Sequence, residues 1–405
     1  MTTPPPSVHG TCAPGFEGVR EEFERNFRER GELGAAVAVT VDDTFVVDLW
    51  AGSADLSGTR AWERDTLVNV YSTTKGLTAL CAHLLVDRGE LDLDAPVARY
   101  WPEFAQAGKG DIPVRWLLSH RTGVLAPREP MRPEQVQDWD TVCAALAAAE
   151  PWWRPGERQG YHAVAYGFLV GEVVRRITGV SLGTFLRTEV TAPLGVDSSV
   201  YVGTPASEHA RCADMIPPGT TDANSEKDTE GTLFGGAPEP PVAGLDAHPL
   251  APLTLALNYL PMGEVNSAAF RTAEIPAANG HATARGLATV YRELANNRLV
   301  TPSTLEAMRT RQSGADEPDV VLAAGTAVSS AWWWGLGYML NQFGMAGTNP
   351  GAFGHGGAGG SFAFADPEGR VSYAYVMNRM DGGTSGEDVR SWKLVESLYE
   401  CLKAN

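Results

Sequence analysis

Segments that favour β-strands lie near both ends of this chain, and the long middle is dominated by helical patterns. Near the amino end, Gly34–Val41 and Thr44–Gly52 are rich in strand-forming residues and are separated by two aspartates, as in a hairpin. Near the carboxyl end, residues 332–340 and 360–380 again predict strands. One sheet must therefore be assembled from both chain ends, with the helical segments inserted between them.

The fold class that follows is α/β of the α+β type: an antiparallel sheet flanked by helices, with an inserted, mainly helical domain. We expect the sheet domain to comprise residues 16–75 and 283–405, and the helical domain to comprise residues 76–282. A long irregular insertion, rich in Pro, Gly, Asp and Thr, is expected near residues 215–253. The cleft between the two domains is the expected place for a site.

Helical periodicity recurs through the chain. The predicted helices are residues 16–30, 77–85, 114–120, 134–150, 163–179, 181–190, 282–297, 301–309 and 387–403.

Charge and composition exclude several function classes. The chain carries a formal net charge of −17 without any basic run, which argues against a nucleic-acid partner. No stretch approaches the roughly 18 apolar residues of a membrane span, and the amino-terminal residues show no secretory pattern. We therefore expect a cytoplasmic protein without a membrane partner. The widely spaced cysteines are expected to be free thiols; they are Cys12, Cys81, Cys143, Cys212 and Cys401.

A serine and a lysine stand three residues apart, at Ser72 and Lys75, where an apolar helical pattern begins. This spacing places both side chains on one helix face, and a helix start offers unpaired N–H groups. A serine there gains an amine to take its proton and donors for a developing oxyanion. The lysine acts as a base only if burial or a nearby cation lowers its pKa. Taken alone, the tetrad favours a helix-capping serine followed by a solvated lysine; the apolar residues on both sides, which predict a buried helix, support the catalytic interpretation.

Three further motifs follow in order. They are residues 116–124 (WLLSHRTGV), residues 153–163 (WRPGERQGYHA) and residues 354–361 (GHGGAGGS). With the serine–lysine tetrad, this set resembles the serine β-lactamase and penicillin-binding-protein superfamily, in its class C branch, and most of all the family VIII carboxylesterases. The resemblance extends from about residue 34 to the end of the chain.

The resemblance implies a role for each matching residue. Ser72 is the expected nucleophile, and Lys75 and Tyr161 are expected to form its proton network, the phenolate of Tyr161 being favoured by the lysine charge. The expected substrate-binding residues are His355, Gly356, Gly357 and Ala358. The N–H of Ala358 is expected to complete the oxyanion hole with that of Ser72. The alternative interpretation of this segment is a flexible Gly-rich loop.

Neither a metal nor a cofactor is expected, since the histidines show no metal-ligand spacing and the Gly-rich segment lacks the phosphate-loop pattern. Tyr166 is a second tyrosine close by, and we interpret it as helix packing.

Two departures from the β-lactamase pattern bear on the substrate. Ala163 stands where those enzymes have Asn, and His355 stands where they have Lys. Both changes weaken recognition of a carboxylated amide, so the sequence favours a carboxylesterase, and a related transesterase, acting on short-chain or activated small-molecule esters.

A β-lactamase or D-Ala-D-Ala carboxypeptidase is the alternative enzyme, and a non-catalytic binding protein of the same fold is the third interpretation. The triple tryptophan at residues 332–334 lines a pocket or packs in a strand. The sequence makes no prediction about oligomeric state.

Overall fold

The computed structural model describes residues 5–127, 131–220, 264–314, 317–322, 332–381 and 388–405. The α-helices in these ranges are Glu17–Glu29 (α1), Thr74–Asp87 (α2), Val114–Leu118 (α3), Pro133–Val136 (α4), Trp139–Ala148 (α5), Ala165–Thr178 (α6), Leu182–Leu186 (α7), Ala268–Thr272 (α8), Ala284–Ala295 (α9), Pro302–Arg309 (α10) and Val389–Ala404 (α11). The strands are His9–Cys12 (β1), Gly34–Val41 (β2), Thr44–Gly52 (β3), Val68–Asn69 (β4), Val200–Tyr201 (β5), His281–Ala282 (β6), Met339–Leu340 (β7), Phe353–Gly356 (β8), Phe362–Asp366 (β9) and Val371–Met377 (β10).

The main sheet joins the two ends of the chain. Its strand order in the described residues is β1-β3-β2-β10-β9-β8-β7, and each neighbouring pair is antiparallel. At its centre, β2 from the amino end pairs with β10 from the carboxyl end, with Val371 opposite Val41 and Met377 opposite Ala35. The predicted fold class is confirmed, whereas the division into domains stays a prediction.

Helices cover the sheet because its central strands are apolar on both faces. Every residue of β10 is buried, as expected of a strand with no face left to solvent. Helix α9 packs across β2, β9 and β10, and α1 packs against both β3 and α11. The side chain of Thr283 caps α9 by accepting a hydrogen bond from the N–H of Gly286.

A small second sheet leads the chain into α2. Strand β6 lies between β4 and β5 and pairs antiparallel with both. The N–H of Val70 then donates to the carbonyl of Gly280 over 2.9 Å. Helix α2 follows, packed against α6 and α7. Asn69, the last residue of β4, thus lies three positions before Ser72.

Some elements differ from the sequence-based expectation. The predicted helix over 134–150 is divided into α4 and α5, because Asp138 leaves the helical conformation to cap α5 through Thr141. The segment 332–340 forms a ladder only at β7, apart from an isolated bridge between Trp334 and Met339. In the segment 181–190, which the sequence predicts as one helix, the α-helix ends at Leu186 and a π-helix follows over Arg187–Thr191.

Two expectations fall partly outside the described residues. The insertion predicted near 215–253 is described only as far as residue 220, and residue 387, the predicted start of the last helix, also lies outside. None of the helices in the described ranges combines the length and apolar character needed to cross a bilayer.

Candidate active site

Ser72 lies in a short 3-10 turn, Tyr71–Thr73, that leads directly into α2. Tyr71 adopts a positive φ of 43°, and its N–H donates to the side-chain oxygen of Asn69 over 2.8 Å. A positive φ is unfavourable for an aromatic residue and is found most often where function requires a fixed geometry. The turn leaves 8% of Ser72 exposed, directly before a helix that is buried from Thr74 to Leu85.

Lys75 is one turn further along and has no exposed surface. Its Nζ lies 3.1 Å from the Oγ of Ser72, 2.7 Å from the carbonyl oxygen of Ala163 and 2.9 Å from that of Ala277. In the described part of the chain no carboxylate forms an ion pair with it, and burial holds the pKa of Lys75 well below its ordinary value. A neutral amine fits these contacts, since two N–H groups meet the carbonyls and the lone pair faces Ser72.

Tyr161 lies above the lysine, with its ring centroid 4.7 Å from the Nζ of Lys75; that of Tyr166 is 5.9 Å away. The hydroxyl of Tyr161 makes no hydrogen bond of standard geometry within the described residues. Burial raises the pKa of Tyr161 above that of a free phenol, although nearby Ser72 opposes the shift. Burial thus works against the phenolate expected from the sequence, and it likewise favours the neutral amine of Lys75.

The loop that carries Tyr161 is held by residues distant in sequence. The N–H of Tyr161 donates to the Oδ1 of Asp319 over 3.0 Å. The N–H of His162 donates to the Nδ1 of His120 over 3.2 Å, and that of Gly160 donates to the carbonyl of His120 over 3.0 Å. His120 adopts a positive φ of 61° to make both contacts. The motif at residues 116–124 therefore positions the tyrosine loop.

The Gly-rich segment passes close to the serine turn. Strand β8 ends at Gly356, and a 3-10 turn spans Ala358–Gly360. A Cβ on Gly357 would lie 2.2 Å from the carbonyl oxygen of Val70, so only glycine allows this approach. The resemblance assigns the N–H groups of Ser72 and Ala358 to an oxyanion hole. Each of these residues lies in a short 3-10 turn, where the first N–H groups have no acceptor within the turn.

His355 is buried beside Tyr161 and is uncharged. Its Nδ1 lies 2.7 Å from the carbonyl oxygen of Gly356, and burial lowers the pKa of His355 to about 3. A fixed positive charge is therefore absent from this position near neutral pH. Ala163, at the position of the β-lactamase Asn, contributes its backbone carbonyl to Lys75 and leaves only a methyl group as side chain.

Two of the three adjacent tryptophans, Trp333 and Trp334, lie in different environments. Trp334 is buried and stacks on Tyr161, with ring centroids 5.5 Å apart and planes 21° from parallel. Trp333 is 36% exposed, and the guanidinium of Arg311 lies 4.3 Å from its ring centroid. Trp334 therefore packs against Tyr161, whereas Trp333 lies at the surface. Within the described residues, no group of three or more His, Cys, Asp and Glu is placed to hold a metal ion.

Comparison with known proteins gives consistent matches. The family described as Beta-lactamase matches residues 22–395. The esterase/beta-lactamase LipL of Mycobacterium tuberculosis is 34% identical over 399 residues, covering 92% of this chain and 83% of that protein. The crystal structure of a family VIII carboxylesterase superposes with a TM-score of 0.82 at 39% identity, covering 98% of this chain and 100% of that one. A penicillin-binding-protein homologue from Caulobacter crescentus gives the same TM-score, identity and coverage.

Proposed function

This chain belongs to the beta-lactamase family, and from that premise we propose that it is a carboxylesterase acting on short-chain or activated esters through an acyl-enzyme at Ser72. A serine hydrolase of the β-lactamase fold is the coarser statement that its relatives support. The observation that carries the proposal is the contact between the Nζ of Lys75 and the Oγ of Ser72 at 3.1 Å, with the lysine fully buried and its pKa lowered by that burial.

Acylation follows from this geometry. As the Oγ of Ser72 attacks the ester carbonyl, the neutral amine of Lys75 takes the serine proton. The N–H groups of Ser72 and Ala358 stabilise the oxyanion. When the C–O bond of the ester breaks, the phenol of Tyr161 gives its proton to the leaving oxygen, and the ammonium of Lys75 then protonates the tyrosine again.

Deacylation uses the same groups in the reverse direction. A water molecule, or an alcohol in a transesterification, loses its proton to this network as its oxygen attacks the acyl carbon. The serine Oγ then leaves and regains a proton, so that the acid or the new ester is released and the enzyme returns to its initial state.

The preference for an ester over an amide is supported by His355 and Ala163. An uncharged imidazole provides no cation for a substrate carboxylate, and a methyl group provides no donor for an amide carbonyl. The alternative, a β-lactamase or D-Ala-D-Ala carboxypeptidase, requires such contacts. Comparing kcat/KM for nitrocefin and p-nitrophenyl butyrate on the wild-type protein separates the two, and faster hydrolysis of nitrocefin would overturn the ester preference.

The nucleophile is tested by Ser72→Ala. This variant should lose burst kinetics, ester turnover and labelling by a fluorophosphonate probe, while its circular dichroism stays that of the wild type. Ser119→Ala is the matched control, because the buried hydroxyl of Ser119 bonds only the carbonyl of Arg115 among the described residues. Near-full turnover by Ser72→Ala would show that another group is the nucleophile, and an unlabelled, inactive wild type would favour a binding protein. We keep a cytoplasmic location and a small-molecule substrate as predictions.

A further inference from the structure

Four aromatic side chains pack together in one cluster that includes Tyr161: His120, Tyr161, Trp334 and His355. The ring centroids are 4.7 Å apart for His120 and Trp334, 5.0 Å for His120 and Tyr161, 5.5 Å for Tyr161 and Trp334, 5.6 Å for Trp334 and His355, and 6.3 Å for Tyr161 and His355. Each residue is at most 3% exposed. We call these four residues the aromatic cluster.

Each member of the aromatic cluster has a buried polar atom that makes no hydrogen bond of standard geometry in the described part of the chain. These atoms are the Nε2 of His120, the Oη of Tyr161, the Nε1 of Trp334 and the Nε2 of His355. Buried polar atoms are normally paired, with protein, water or ligand. The presence of four such atoms on one set of packed rings favours a polar group bound at the cluster.

The hydrogen bond of His355 fixes what its Nε2 offers. Its Nδ1 lies 2.7 Å from the carbonyl oxygen of Gly356, and a carbonyl can only accept, so Nδ1 carries the hydrogen. The ring is neutral, since its burial strongly favours the uncharged form. The Nε2 of His355 therefore has a lone pair and is a hydrogen-bond acceptor.

His120 has the opposite tautomer. Its Nδ1 accepts the N–H of His162 over 3.2 Å, so in the neutral ring the hydrogen is on Nε2. The indole Nε1 of Trp334 is a donor in every state. The aromatic cluster thus combines an acceptor on His355 with donors on His120 and Trp334, and a group that both donates and accepts matches this arrangement.

We propose that the aromatic cluster is a subsite for a hydroxyl group of the substrate, whose O–H donates to the Nε2 of His355 and whose oxygen accepts from Trp334 or His120. This inference rests on the proposed esterase function, in which Tyr161 faces the leaving oxygen. The hydroxyl then belongs to the alcohol part of the ester, a few bonds from the leaving oxygen. The substrate class is an ester of a diol or polyol, and a carboxylate at the same place would meet the lone pair of His355.

Three butyrate esters with the same acyl group test this subsite. 2-Hydroxyethyl butyrate carries the hydroxyl, propyl butyrate replaces it with a methyl group, and 2-methoxyethyl butyrate retains the oxygen but cannot donate. On the wild type, kcat/KM for the hydroxyethyl ester should exceed both others by about five- to tenfold, the effect of one neutral hydrogen bond. Equal values for the three esters would overturn the subsite.

His355→Phe should bring the ratio between the hydroxyethyl and propyl esters close to one, because the acceptor is lost. The ratio is measured within each protein, so it does not depend on how much activity the variant retains. His209→Phe is the control and should keep the wild-type ratio, since the Nε2 of His209 lies 3.0 Å from the carbonyl of Thr204, outside the aromatic cluster. An unchanged ratio in His355→Phe would show that another group selects the hydroxyl.

The same experiment separates this inference from the proposed function. If Ser72 is needed for cleavage and the three esters are cleaved with equal kcat/KM, the esterase proposal holds and only the subsite is contradicted. If none of the esters is cleaved, the esterase proposal fails, and binding of the three esters to Ser72→Ala tests the subsite alone. The hydroxyethyl ester should then bind with a Kd about five- to tenfold lower than the others, and equal Kd values would overturn the subsite.

Discussion

The Nζ of Lys75 lies 3.1 Å from the Oγ of Ser72 at a place where the lysine is fully buried and lacks an ion-pair partner among the described residues. Burial of an ammonium is unfavourable unless it is paired, so the neutral amine is favoured instead. In the proposed function, the environment that destabilises the charge is what allows the lysine to serve as a base for the adjacent serine. Ester hydrolysis and the free energy of unfolding should therefore both depend on whether the amine of Lys75 is protonated.

The basic role predicts that Lys75→Arg is as inactive as Lys75→Ala. A guanidinium retains a positive charge but cannot be deprotonated in a protein, so it cannot accept the serine proton. Each variant should lose about 10²-fold or more in kcat for p-nitrophenyl butyrate. Substantial activity in Lys75→Arg would mean that the side chain acts as a cation. Arg25→Lys, at an exposed site on α1, controls for the effect of an exchange between arginine and lysine away from the site, and it should retain full activity.

The lowered pKa of Lys75 also predicts a pH dependence of stability. Between the folded-state pKa and the unfolded value of about 10.4, the unfolded chain binds one more proton at this residue, so stability rises with pH. In that window the free energy of unfolding of the wild type should rise by about 1.4 kcal/mol per pH unit relative to Lys75→Met. Urea titrations of both proteins at several pH values measure this difference. Parallel curves would show that the buried lysine stays protonated.

Asp319 is predicted to act through Tyr161. Its Oδ1 accepts the N–H groups of Tyr161, Val321 and Leu322, each over 3.0 Å. Tyr161→Phe should lose about 10²-fold in kcat, and Asp319→Ala should also lower kcat because the tyrosine loop is released. Asp319→Asn retains a carbonyl oxygen and should be much less affected.

The decisive measurement for Asp319 is the double variant. If Asp319 only positions the hydroxyl of Tyr161, adding Asp319→Ala to Tyr161→Phe should cause little further loss in kcat. Losses that multiply would instead show that Asp319 contributes independently of the tyrosine.

The sequence predicted the elements whose signals are local. Strands β2 and β3 lie at the expected residues because their apolar, β-branched runs are continuous, and Ser72 and Lys75 meet because a three-residue spacing on a helix start permits little else. The motif order also located Tyr161 beside Lys75.

The missed residues have no local signal. Asp319 contacts the Tyr161 loop across 158 residues of sequence, and nothing around it distinguishes it from a surface aspartate. The positive φ of Tyr71 and His120 is imposed by tertiary contacts, since neither residue type favours it strongly. The sequence favours a lower pKa of Tyr161 beside a charged lysine, but burial lowers the pKa of the lysine and raises that of the phenol. Burial is a property of the fold, and the motif alone does not reveal it.

Gly357 is predicted to be indispensable because of one close approach. In Gly357→Ala the new Cβ would lie 2.2 Å from the carbonyl of Val70 and 2.3 Å from the Oγ of Ser361. The strand must then move away from the serine turn, which should cost about 1–3 kcal/mol of stability and most of the ester turnover. Gly110→Ala is the control, since its nearest neighbour would be 4.0 Å away. Full turnover in Gly357→Ala would show that the position of this strand is not critical.

The last prediction concerns the two positions on which the proposed preference for an ester over a lactam rests. A carboxylated amide needs a cation for its carboxylate and a donor for its amide carbonyl, and this site provides neither at His355 or Ala163. A charge-assisted hydrogen bond and a neutral one together contribute roughly 2–4 kcal/mol, equivalent to some tens- to about a thousandfold in kcat/KM.

The double variant His355→Lys with Ala163→Asn should therefore raise kcat/KM for a cephalosporin relative to p-nitrophenyl butyrate by about tenfold or more. Each single variant should show a smaller change, because each restores one contact. The introduced lysine is buried near Lys75, so its charge is stabilised only when a substrate carboxylate is present. The relative gain should consequently disappear for a cephalosporin whose carboxylate is esterified. A gain that persists with the esterified compound would show that the substitutions act on the shape of the site instead of on recognition of the carboxylate.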